Sequence, residues 1–90
     1  MEEFTLEKLS KQVNINKYYL VHMFKKDFGV TPIEYLINKR IEQSKYYLKK
    51  TALSISHIAM IVGYKDQYYF STIFKRRVGM SPSEYRKSTE

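Results

Sequence analysis

The feature that most constrains the fold of this 90-residue chain is an internal repeat. When residues 16–35 are set above residues 66–85, at an offset of 50, eight positions are identical. They are Tyr18/Tyr68, Tyr19/Tyr69, Phe24/Phe74, Lys25/Lys75, Gly29/Gly79, Pro32/Pro82, Glu34/Glu84 and Tyr35/Tyr85. Upstream the register slips to 49, so that Leu6, Leu9 and Val13 match Ile55, Ile58 and Val62. A slip of one residue is best tolerated in a turn between helices. The chain is therefore expected to hold two copies of one supersecondary unit.

Apolar residues recur at helical rather than alternating spacing, and Gly and Pro appear only as punctuation. Helix starts are marked by capping residues. In Thr31-Pro32-Ile33-Glu34 and Ser81-Pro82-Ser83-Glu84 a hydroxyl precedes proline at the first helical position and glutamate at the third, which predicts capping boxes. Val30 with Tyr35 and Met80 with Tyr85 can staple the same turns. Phe4 with Leu9 around Thr5, Ile15 with Leu20 around Asn16, and Leu53 with Ile58 around Ser54 mark further starts, and Asp66 caps the segment opening at Gln67. The expectation is an all-α chain of seven short or medium helices. Residues 4–29 and 54–79 would form two helix-turn-helix subdomains, 31–50 a longer linker helix and 81–87 a C-terminal helix, all within one domain of residues 1–90.

Two steric demands test each helix-turn-helix. The first helix needs a small residue where the second crosses it, and four residues later the turn needs one that tolerates left-handed backbone. Ala59 and Gly63 supply these in the second copy; Ser10 and Asn14 supply them in the first. In the second helix of each copy, Leu20, Met23, Phe24 and Phe28, or Phe70, Ile73, Phe74 and Val78, follow the buried stripe and are expected in the core. The opposite face then carries Lys17, Tyr18, Val21, His22 and Lys25 in one copy and Gln67, Tyr68, Ser71, Thr72 and Lys75 in the other. Valine, tyrosines and hydrogen-bonding side chains on an exposed helix suit base edges and thymine methyls in a DNA major groove. Between the copies, Pro32 to Lys50 has Ile33, Leu36, Ile37, Ile41 and Leu48 on its apolar side. Its nineteen residues span roughly 28 Å, close to one turn of the duplex.

Charge supports a polyanionic partner. The sixteen Lys and Arg all lie between Lys8 and Lys87 with five of the nine acids, so that stretch carries sixteen less five, or +11. Phosphates neutralised by such cations release their counterions. With 43% hydrophobic residues the chain has enough apolar content to fill a modest core.

The stretch Ile55 to Arg86, ISHIAMIVGYKDQYYFSTIFKRRVGMSPSEYR, resembles the signature of the AraC/XylS transcription regulators: Ile, two residues, Ile-Ala, then Val-Gly-Tyr, Tyr-Phe, Phe-Lys, Gly and Ser-Pro-x-x-Tyr-Arg. The resemblance extends over nearly the whole chain. It implies a bipartite double-stranded DNA-binding domain that regulates bacterial transcription, with Arg40 structural or phosphate-facing. It also implies a sensor or effector domain ahead of this region in the full-length protein, with RNA polymerase as a further partner of an activator. Where the family pattern often has arginine, two residues after Leu20 and Phe70, this chain has His22 and Thr72. Tyr18 and Tyr68 stand where smaller residues are frequent. The expected reading is therefore by shape, methyl groups and water rather than bidentate arginine.

Other functions fit less well. The chain has no cysteine and two histidines, His22 and His57, and its carboxylates show no pairing suited to acid–base work or metal ligation, so no enzyme, cofactor or metal is expected. A purely structural helical bundle would not need the doubled turn motif, and A-form RNA hides its major groove from side chains. The start, MEEFTLEKLS, is acidic and has no apolar run, and no stretch approaches the ~18 apolar residues of a membrane span, so a cytoplasmic location is expected.

Overall fold

The computed structural model describes residues 17–89, and those residues are helical, with no strand among them. Five helices follow one another: α1 Lys17–Phe28, α2 Pro32–Lys50, α3 Ile55–Val62, α4 Gln67–Val78 and α5 Pro82–Lys87. Seven helices were expected, and five lie among the described residues. The start signals number six, and the one at Thr5 lies outside the described residues, as do Ser10 and Asn14. Between the described helices only turns of three or four residues remain, too short for another element. The chain divides into two compact units between Lys39 and Arg40, inside α2.

Local chemistry accounts for the helix ends. Ser81 accepts from the Glu84 amide while the Glu84 carboxylate accepts from the Ser81 amide at 2.8 Å, a complete capping box. At Thr31 only half of the expected box forms. Its hydroxyl accepts from the Glu34 amide at 3.2 Å but donates to the Glu34 carboxylate at 3.0 Å. Ser54 caps α3 through the His57 amide at 3.1 Å, and Asp66 caps α4 through the Tyr68 amide at 2.8 Å. Gly63 and Gly79 end α3 and α4 with φ of 111° and 95°, and Gly29 follows α1 with φ of 80°, a region that side chains with a Cβ rarely enter.

In the unit from Arg40 onward, Ile41 and Leu48 of α2, Ile58, Ala59 and Val62 of α3, and Phe70, Ile73 and Phe74 of α4 are buried together with Tyr64. Each large apolar side chain taken from water stabilises the fold by roughly 1.5–3 kcal/mol. Ser44 shares this buried stripe, its hydroxyl satisfied by the Ile41 carbonyl at 2.7 Å. Arg86 fastens α5 to the end of α2 and the loop after it. Its Nε donates to Leu48 at 3.0 Å, and one terminal nitrogen donates to Thr51 and Leu53 at 3.3 and 2.7 Å, each time to the carbonyl. Lys49 reaches the carbonyl and hydroxyl of Ser88 at 2.6 and 2.8 Å.

The unit ending at Lys39 departs from expectation. No side chain of α1 is fully buried; Met23 is 41% and Phe28 58% exposed, and Leu20 and Phe24 are half-buried. Helical spacing identified the stripe correctly but not how much of it is covered. Phe24, Phe28 and Tyr35 instead form a partly open aromatic cluster, with ring centroids 4.4 to 5.7 Å apart. Ile33, on the expected apolar side of α2, is also exposed.

Candidate nucleic-acid interface

The turn Gly63–Asp66 joins α3 to α4 and has the two steric properties the motif demands. Ala59 is buried in α3, and Gly63 is left-handed, its amide donating to Met60 and the Tyr64 amide donating to Ala59. A Cβ at Gly63 would also lie 2.8 Å from the Arg40 guanidinium, so that group would have to shift to admit one. The outward stripe of α4 begins directly after this turn. Tyr68 is 78% exposed, Thr72 and Lys75 are exposed, and Gln67 and Ser71 are half-buried beside them. Thr72 donates its hydroxyl proton to the Tyr68 carbonyl at 3.0 Å, which leaves its oxygen able to accept.

On α1 the equivalent positions carry a different surface. Lys17, Tyr18, Val21 and His22 line one depression, in which the Tyr18 and His22 rings lie nearly parallel, 6.2 Å apart at 24°. Tyr18 is as exposed as Tyr68, and Lys25 is exposed one turn further along. Each of the two stripes therefore collects its expected members on one face of one helix.

Arg40, expected as structural or phosphate-facing and counted among the DNA contacts, is 5% exposed, with its guanidinium 4.8 Å from the Tyr64 ring centroid and against Gly63, so the DNA-contact half of that expectation is corrected. A cation so enclosed cannot meet a phosphate, and its role is to pack the turn. Two further basic residues lie beside the α4 stripe. Arg76 and Arg77 follow Lys75 in the last turn of α4 and are exposed, and the run Lys-Arg-Arg in the sequence was the signal that could have found them. Among the described residues no group of three or more His, Asp or Glu side chains could hold a metal, and no helix is long and apolar enough to cross a membrane.

A small residue in one helix, a left-handed glycine and a second helix with an exposed polar stripe define the helix-turn-helix class. Residues 9–88 match the family model described as a helix-turn-helix domain. The chain belongs to the AraC/XylS family of transcription regulators. It is 41% identical to the uncharacterized HTH-type transcriptional regulator YdiP of Escherichia coli (strain K12), over 96% of this chain and 28% of that protein. Among solved structures it resembles the C-terminal domain of the two-component response regulator yesN from Fusobacterium nucleatum, at a TM-score of 0.90 and 41% identity, covering 94% of this chain and 82% of that one. It also resembles the DNA-binding domain of the global transcriptional factor AdpA in complex with a target DNA, at a TM-score of 0.87 and 26% identity, covering 94% and 77%. The chain spans between 27% and 42% of the length of the curated relatives it matches.

Proposed function

We propose that this chain is the sequence-specific DNA-binding part of a bacterial transcription regulator, with two helix-turn-helix units that each insert one helix into a major-groove segment. The observation that carries the reading is the exposed stripe of α4, with Tyr68, Thr72 and Lys75 presented immediately beyond the Gly63 turn. In this reading Gln67, Tyr68, Ser71 and Thr72 face base edges in one segment and Tyr18, Val21 and His22 in the other. Lys17, Lys25 and Lys75 hold the flanking phosphates, joined by Arg76. Base contacts confer sequence preference while phosphate contacts confer affinity and register.

The share of the relatives' length left uncovered, and the response-regulator origin of the yesN domain, support a sensing or receiver domain elsewhere in the whole protein. The action would be cytoplasmic, and if the regulator is an activator then RNA polymerase is the second macromolecular partner. No catalytic step is assigned to this domain.

Electrophoretic mobility shift separates this function from binding by charge alone. Duplex DNA drawn from a selected pool should shift at concentrations at least a hundredfold lower than random duplex or duplex RNA, since specific binding usually exceeds nonspecific binding by roughly 10³ or more. Equal affinity for all three would reduce the domain to a polyanion binder.

A further inference from the structure

The two stripes differ most where the repeat itself is preserved. At an offset of 50, Lys17, Tyr18, Val21 and His22 correspond to Gln67, Tyr68, Ser71 and Thr72. The second copy presents hydroxyl groups at the last two positions. The first presents an aliphatic side chain and an imidazole face, and these close a depression together with the Tyr18 ring and the Lys17 stem.

We infer that this depression on α1 is a receptor for the C5-methyl group of a pyrimidine, an assignment that rests on the DNA-binding reading and adds to it a ligand chemistry. Three observations support it. The lining is largely carbon, and the only apolar group that base pairs project into the major groove is that methyl. Lys17 stands in the lining, with Lys25 and Lys26 in the last turn of the same helix, so the apolar spot is set among cations that suit the phosphates flanking a groove. The Tyr18 and His22 rings stand at the i and i+4 positions, 6.2 Å apart and 24° from parallel, and give the depression flat carbon walls.

Thymine and 5-methylcytosine carry the same methyl at the same ring position. A receptor that senses only this group therefore responds to both. Methylation of a cytosine at the contacted position should strengthen binding, which makes the α1 segment of the binding site sensitive to DNA modification. On α4 the hydroxyl-bearing Ser71 and Thr72 stand where α1 has Val21 and His22, and that segment should be less sensitive.

The test uses the full chain and a duplex selected from a random pool. Each thymine is replaced in turn by deoxyuridine, and at the position that responds the T·A pair is replaced by C·G and by 5-methylC·G. One thymine should lose about fourfold in affinity on conversion to uracil, the share of one buried methyl group. At that position 5-methylcytosine should bind about fourfold more tightly than cytosine. Val21→Ala should bind the thymine and uracil duplexes alike, and Val21→Thr should lose most of the discrimination without a change of size. A wild-type affinity indifferent to every uracil substitution, or a Val21→Ala protein that retains the full discrimination, would overturn the methyl receptor and leave the DNA-binding function standing. Failure to prefer any duplex would overturn both.

Discussion

The guanidinium of Arg40 occupies the space where Gly63 would carry a side chain. Its Cζ and one terminal nitrogen each lie 2.8 Å from the place of a Cβ, and the same group covers the Tyr64 ring at 4.8 Å. Gly63 is thus required twice, for its positive φ and for the volume it leaves empty.

Gly79 separates these two requirements. It has φ of 95°, but a Cβ there would meet nothing within 4 Å. Gly79→Ala should therefore lose only about 1 kcal/mol, from backbone strain. Gly63→Ala should lose about 2–3 kcal/mol and Gly63→Val more, because the buried guanidinium must also move off the Tyr64 ring. Thermal melting of the three variants checks the order. If Gly63→Ala melted with Gly79→Ala, the Arg40 contact would carry no weight.

Tyr64 offers the opposite sign. The ring is packed against Phe70 and Tyr69 at centroid distances of 5.7 and 5.9 Å, and its buried hydroxyl finds no hydrogen-bond partner among the described residues. Removing that hydroxyl costs no bond and relieves a desolvated dipole of about 1–3 kcal/mol. Tyr64→Phe should melt at or above the temperature of the unaltered chain. A drop of several degrees would place a strong partner on the hydroxyl.

What the sequence disclosed and what it hid follow from the range of the forces involved. Caps at Ser54, Asp66 and Ser81 and the left-handed Gly63 depend on residues one to five positions away, so the residue types alone located them. Arg40 could not be placed this way, because its burial depends on an aromatic ring and a missing side chain more than twenty residues downstream. Ser44 lies between Ile41 and Leu48 on one stripe, and only the observed bond to the Ile41 carbonyl explains a polar residue there. Met23 and Phe28 failed in the other direction. Periodicity ranks the faces of a helix but does not say how completely a neighbour covers them.

Acid should uncover the cap of α5. The Ser81 amide, then the Ser81 hydroxyl, and more weakly the Lys75 ammonium hold the Glu84 carboxyl below its ordinary value of 4.5. A depressed folded-state value means that the charged carboxylate adds stability above pH 4.5, and that this is lost as pH falls through the folded value. Glu84→Gln keeps an oxygen acceptor but no charge. Its melting temperature should lie below that of the unaltered chain at pH 7, and the gap should close toward pH 3. A gap independent of pH would mean that the carboxylate charge contributes nothing to the cap.

The two stripes should read different sequence in different segments of one binding site. Their side chains diverge at Val21/Ser71 and His22/Thr72 but coincide at Tyr18/Tyr68 and Lys25/Lys75, so in the proposed reading the divergent pairs should set preference and the shared lysines affinity. Lys25→Ala and Lys75→Ala should each weaken binding on every duplex and lower the salt slope by about one unit. His22→Ala should relax base preference in one segment only, and Thr72→Ala in the other, each at a loss of about 1–3 kcal/mol on the preferred site and little on random duplex. At Thr72 the chemistry can be divided further. Its hydroxyl proton is donated to the Tyr68 carbonyl, so toward DNA the oxygen should act as an acceptor and favour an adenine N6 or cytosine N4 amine. Thr72→Ser should keep that preference and Thr72→Val should lose it, both without effect in the segment governed by His22. Selection from a random duplex pool with each variant gives the answer as a shift in base frequency at named positions. A palindromic selected site, or a single segment altered by both His22→Ala and Thr72→Ala, would mean that the two helices do not read separately.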